Sequence, residues 1–130
     1  MSDKGGTDQR PRRGRAGEAI ARSYLEERSH TIIETNYRSR YGEIDIIACR
    51  DDLIIFVEVK ARRDKQFGEP FEAVDSRKQA QIRRMAAAWL AEHGDNPLVR
   101  RCRFRFDVIS IMLDEQDRAE ELLYIEDAFW

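Results

Sequence analysis

A chain of 130 residues has room for one domain and little besides. Apolar residues make up 42% of it, enough for a core, which argues against wholesale disorder. Charged residues reach 37%, and the net charge of −2 is unevenly spread: residues 114–130 carry −6, leaving +4 on residues 1–113.

Residues 1–13 mix Gly, Ser, Asp, Lys and Arg without an apolar period and read as a flexible basic tail, with the domain itself over residues 14–130. From Gly14 to about Ser29, Ala16, Ile20 and Tyr24 recur at four-residue spacing beside Ala21 and Leu25, the pattern of an amphipathic helix. Glu18 lies on the flank of that stripe, where a first-turn acid also suits the helix dipole. Residues 31–37, 43–49 and 53–60 are rich in β-branched and aromatic side chains and predict three strands. The short polar run Arg50-Asp51-Asp52 joins the second and third as a hairpin. The third is almost continuously apolar before Glu58, as in a central strand covered on both faces.

A loop containing Gly68 and Pro70 leads to a second helix from about Ser76 to His93. Ser76 and Gln79 have capping-box spacing, and Ile82, Met85, Ala86, Trp89 and Leu90 form the apolar face. Gly94 is a natural stop, and Pro97 is expected to prevent the helix from resuming. Residues 101–112 alternate as a long strand, with Trp89, Phe104 and Phe106 assigned to the core, and a short strand is expected near residues 122–125. The order α-β-β-β-α-β with a small C-terminal addition implies an α/β fold, a mixed sheet packed by helices.

Cys49 and Cys102 are too few and too far apart in sequence for a disulfide framework or a zinc site, and are expected as buried free thiols. His30 and His93 lack metal-ligand spacing. With no apolar run long enough for a signal peptide or a membrane span, a cytoplasmic location without membrane attachment is expected.

The chemistry lies in the second and third strands. Alternation puts Glu43, Asp45 and Ile47 on one face, and Ile54, Phe56, Glu58 and Lys60 on one face of the next strand. If the hairpin register has an odd sum, Asp45 and Glu58 become diagonal or direct neighbours on the same face. Two carboxylates so placed repel and are costly to bury. A divalent cation such as Mg²⁺ removes the conflict, since it takes oxygen from one or two carboxylates and keeps several waters. Lys60 would then orient water or stabilise charge on a phosphorane-like transition state. A structural ion pair of Lys60 with Glu58 or Glu43 explains the same short motif without catalysis. Lys78, which begins the inward line of the second helix, is a further candidate for phosphate; Glu43 and Gln79 have simpler roles as a strand-end acid and a cap.

The run Gly-Glu-Ile-Asp-Ile-Ile-Ala, followed by Phe-Val-Glu-Val-Lys-Ala-Arg, resembles the PD-(D/E)XK nuclease motif. More narrowly, the chain resembles the YraN family of small bacterial proteins over roughly residues 14–129. The likeness runs through Gly17-Glu18, Asn36-Tyr37-Arg38, Gly42-Glu43-Ile44-Asp45 and Glu58-Val59-Lys60-Ala61-Arg62. It continues through Gly68, Glu72-Ala73-Val74, Lys78, Arg105-Phe106-Asp107-Val108 and Ala128-Phe129. Ile44 stands where the nuclease pattern often has Pro. The resemblance implies a restriction-endonuclease-like fold, Asp45 and Glu58 as ligands of Mg²⁺ or Mn²⁺, and Lys60 as a catalytic lysine. Glu18 matches the first-helix acid that completes the metal site in the related archaeal junction resolvases.

The expected function is therefore a metal-dependent nuclease, or nuclease-like hydrolase, acting on DNA. Arg12, Arg13, Arg15, Arg62, Arg63 and Lys78 are its candidate phosphate contacts, since clustered bases displace counterions. No helix or ribbon is left over to read base edges, so structure-selective rather than sequence-specific endonuclease cutting is expected. Cutting both strands together would take a two-fold pair of chains. Two other readings stay open, a non-catalytic nucleic-acid-binding module and an interaction protein that docks a partner through its acidic C-terminus.

Overall fold

The computed structural model describes residues 12–63 and 74–129. In chain order these form α1 (Arg12–Glu27), β1 (Thr31–Ser39), β2 (Gly42–Arg50), β3 (Leu53–Arg62), α2 (Ser76–Glu92), α3 (Pro97–Arg101), β4 (Arg103–Leu113) and β5 (Ala119–Phe129). The five strands make one sheet in the order β1-β2-β3-β4-β5. Pairing is antiparallel except between β3 and β4, which run parallel. A parallel pair needs a crossover, and the segment carrying α2 and α3 supplies it.

The expected mixed α/β architecture is thus present, with β3 in the middle of the sheet. Its alternate residues feed two cores. Ile54 and Phe56 join Ile82, Met85, Ala86 and Trp89 of α2 on one face. Ile55 and Val57 join Ala21 and Leu25 of α1 on the other. Two close approaches fix these layers. A Cβ at Gly17 would stand 2.6 Å from Ala61 Cβ, so the glycine lets α1 lie directly on β3. Trp89 is fully buried, yet its indole N–H donates to Glu34 Oε1 at 2.9 Å, so no polar atom is stranded.

Several expectations need correction. Helix α1 starts at Arg12, two residues before the expected boundary, while residues 1–11 and the loop around Gly68 and Pro70 lie outside the described residues. Asp75 rather than Ser76 caps α2, its side chain accepting the Lys78 N–H, and Gln79 Nε2 donates to the Val74 carbonyl. Pro97 does not end helical structure: it opens α3, where a missing N–H costs nothing, and Asn96 caps the turn through the Leu98 N–H.

Strand β5 is eleven residues long, not a short addition. Its exposed acids, which mask the strand pattern, are the charges that keep a sheet edge from pairing with another chain. Phe104 is 52% exposed rather than core, because it stands at the start of β4, at the rim of a cleft of about 540 Å³ with α2. Cys49 and Cys102 are free and only partly buried, and they line one cleft; burial and the neighbouring Cys102 push the Cys49 thiol up.

Candidate active site

The site grows out of a parting between β2 and β3. Their ladder runs from Arg50–Leu53, across the two-residue turn Asp51-Asp52, to Ile46–Val57. The next pair in that register is Asp45 with Glu58, so the two acids are direct rather than diagonal neighbours. No backbone pairing is formed there. Instead Asp45 Oδ2 accepts the Val59 N–H at 2.8 Å. Strand β3 meanwhile continues its pairing with β4 as far as Arg62–Met112.

Strand β1 is disturbed at the same level. Asn36, between the pairs Thr35–Ile46 and Tyr37–Ile44, has a left-handed backbone with φ 55°, which Asn tolerates better than most residues. Simple alternation along β2 fails here, correcting the expected face assignment: Ile44 and Ile47 join the same core while Ile46 joins the other. The sequence period cannot register a strand that changes face at one residue.

Asp45 and Glu58 lie within hydrogen-bond reach of each other, and Asp45 is held protonated well beyond the carboxylate range, pushed up to about 8. Burial is the main cause, followed by the negative charge of Glu58; the Val59 amide opposes both, and Glu43 adds further repulsion. Glu58 is only 5% exposed. Its Oε2 is approached by Lys60 Nζ at 3.5 Å and Lys78 Nζ at 3.3 Å. Asp45, Glu58 and Lys60 are therefore brought together, and Lys78, a lesser candidate in the sequence, joins them from α2.

Glu18 is buried on α1, its carboxylate accepting Asn36 Nδ2 at 3.0 and 3.2 Å. It stands behind the distorted residue that flanks Asp45. Among the described residues, no three Asp, Glu, His or Cys side chains converge as a metal-binding group; Asp45 and Glu58 are the two carboxylates that stand together where the strands part. Glu43 Oε2 is buried without a hydrogen-bond partner, 3.7 Å from Arg38 Nε.

The remaining basic candidates are dispersed. Arg12 lies in the first turn of α1, with Arg13 beside it, and Arg15 is exposed on the same helix. Arg62 ends β3, and Arg63 is ion-paired with Asp117 of the β4–β5 turn. Sequence reasoning missed Arg40, Tyr41 and Gln81, which gather with Arg77, Lys78 and Arg84 around a groove beside the carboxylates. The only signal for them was the basic run 77–84 on a helix whose first inward residue was already suspected.

A five-stranded mixed sheet between helices, with Asp…Glu-x-Lys where two strands part, defines a single α/β domain of restriction-endonuclease-like form. The chain belongs to the family given as "Uncharacterised protein family UPF0102", whose model matches residues 17–111, and this is the YraN family. A UPF0102 protein of Moorella thermoacetica is 43% identical over 120 residues, covering 92% of this chain and 97% of its own. One of Rhodococcus jostii is 42% identical over 116 residues, covering 89% and 94%. One of Dictyoglomus thermophilum is 39% identical over 116 residues, covering 89% and 95%. No helix among the described residues is long and apolar enough to cross a membrane.

Proposed function

We propose that this protein is a metal-dependent nuclease that hydrolyses phosphodiester bonds in DNA and selects its substrate by structure rather than sequence. The observation that carries the reading is the juxtaposition of Asp45 and Glu58 between two lysines. Two carboxylates forced together keep a proton between them in the absence of a cation, which is the donor chemistry that Mg²⁺ or Mn²⁺ relieves. Asp45, mostly buried, keeps a partly accessible edge through which water or a phosphate oxygen would complete a shell. When bound, a divalent cation would supply Lewis-acid charge for the phosphoryl group and acidify a water.

The chain's own residues divide the rest of the work. The Val59 amide fixes Asp45, and burial fixes Glu58, so the pair is preorganised. Lys60, 3.5 Å from Glu58, would hold the attacking water or balance charge on the transition state. Lys78 would meet the phosphate from the opposite side, and Glu18 steadies Asn36 beside the pair. One chain offers one such site, so concerted cutting of both strands would need a second copy.

The test is a panel of end-labelled duplex, flap, fork and four-way DNA incubated with Mn²⁺ or Mg²⁺, with Glu58→Ala and Lys60→Ala as controls. Cutting of branched or flapped substrates that both variants lack is expected. Sequence-restricted cutting of plain duplex would refute structure selection. Binding without cleavage of any substrate would favour a non-catalytic nucleic-acid-binding module.

A further inference from the structure

We infer that the groove formed by Arg40 and Tyr41 of the β1–β2 turn with Arg77, Lys78, Gln81 and Arg84 of α2 is the track for the phosphodiester backbone flanking the scissile bond. The inference rests on the proposed nuclease reading and names where, and through which atoms, the substrate strand is held. The groove measures about 550 Å³. Among the described residues, its three arginines have no acid to neutralise them.

Several arginines elsewhere are each held by an acid. Arg38 meets Glu43, Arg63 meets Asp117, Arg103 meets Asp52, Arg105 meets Asp107 and Arg118 meets Asp114. Among the described residues, Arg40, Arg77 and Arg84 have no carboxylate partner. The acid that shares their groove, Asp75, is committed to capping α2 through the Lys78 N–H. Three guanidiniums facing one such acid, beside a lysine that already meets Glu58, form a concentrated positive surface, which mutual repulsion opposes unless an anion is received there.

The groove is also built rather than a chance gathering of mobile side chains. Arg40 Nη2 donates to Tyr41 Oη at 2.9 Å, and the Arg40 and Arg84 guanidinium carbons lie 5.1 and 5.9 Å from the Tyr41 ring centre. The ring holds both planar forks while leaving N–H groups to address phosphate oxygens. Gly42, with φ 136°, lets the turn come against Gln81: a Cβ there would stand 2.7 Å from its Nε2. The turn is thereby docked onto α2.

Two features give direction and substrate class. Lys78 lines the groove and also lies 3.3 Å from Glu58 Oε2, so the track leads into the carboxylate pair. Arg77 and Arg84 are two turns apart, about 10 Å along the helix axis, the axial span of about three phosphates of one strand. The donors are guanidinium, ammonium and amide groups around a ring already covered by arginine. They suit a backbone read without regard to base, and one strand rather than the two sides of a groove.

The test is fluorescence anisotropy of labelled oligonucleotides, a mixed-sequence single strand, a thymine homopolymer and a flap, at a series of salt concentrations without divalent cation. Arg77→Gln/Arg84→Gln is compared with Arg100→Gln/Arg101→Gln, which removes the same charge at α3, and circular dichroism establishes that both are folded. The groove variant should bind about tenfold more weakly, and its slope of log affinity against log salt should flatten by about 1.5. The loss should be alike on mixed and homopolymer strands, while the α3 variant stays near wild type. Equal losses in the two variants, or no loss in the groove variant while wild type binds, would overturn the track and leave the nuclease reading standing. Failure of the wild-type chain to bind any of the three would overturn both.

Discussion

Asp45 Oδ2 accepts the Val59 amide at 2.8 Å, a side chain taking the hydrogen bond that the β2 backbone would otherwise have offered to β3. That bond does two things at once. It satisfies the first unpaired amide where the strands part, and it aims the carboxylate of Asp45 at Glu58 rather than at water.

The price is electrostatic, and it gives a pH dependence. In the folded protein Asp45 keeps its proton up to about pH 8, whereas the ordinary value is 3.8. Between those values the folded state binds more protons than the unfolded chain, so this site makes stability fall as pH rises. In chelator, thermal melts from pH 4.5 to 8.5 should show a decline that Asp45→Asn flattens. The amide keeps an acceptor for Val59 and cannot repel Glu58. An Asp45→Asn profile parallel to wild type would show that the pair is not under strain.

The two lysines on Glu58 should separate kinetically. Lys60 lies two residues along β3 from Glu58, at the parting of the strands, whereas Lys78 also lines the groove. Lys60→Ala should lower kcat by about 100-fold with little change in KM, as for loss of a contact made in the transition state. Lys78→Ala should act mainly through KM. Steady-state cleavage of a flap substrate reads both, and a KM effect confined to Lys60→Ala would reverse the assignment.

Packing offers a test inside one helix. Replacing Gly by Ala in a helix ordinarily stabilises by up to about 1 kcal/mol. Gly14, with nothing within 4 Å of an added Cβ, should follow that rule at reduced size near the helix end. Gly17→Ala should instead destabilise, because its Cβ meets Ala61 Cβ on the sheet. Urea melts of the two variants should move in opposite directions; a stabilising Gly17→Ala would mean that α1 has freedom to lift from β3.

Much of this was legible in the residues, and the gaps have physical causes. The buried strands β2 and β3 are marked by apolar runs with a turn between them, and α2 by Ile82, Met85 and Trp89. Composition hides β5, because an edge strand covers its outer face with acids such as Glu120 and Glu121. It also hides α3, where Pro97 serves as a start rather than a stop. At the site, the pairing of Asp45 with Glu58 follows once the register is odd, but the face that Asp45 takes does not, because alternation along β2 breaks there. Nor does the attachment of Glu18 to Asn36, since it depends on one residue with a left-handed backbone. The groove beside α2 was out of reach for a related reason: Arg40 and Arg84 are far apart in sequence and meet only over Tyr41.

The central claim is that Asp45 and Glu58 together form a divalent-cation site. Calorimetric titration of Mn²⁺ into the metal-free protein at pH 8, repeated with Glu58→Ala, tests it without requiring a substrate. The wild-type chain should bind one Mn²⁺ per molecule, and folded Glu58→Ala should bind none. A wild-type chain that takes up no Mn²⁺, or a Glu58→Ala variant that binds it as the wild type does, would contradict the account.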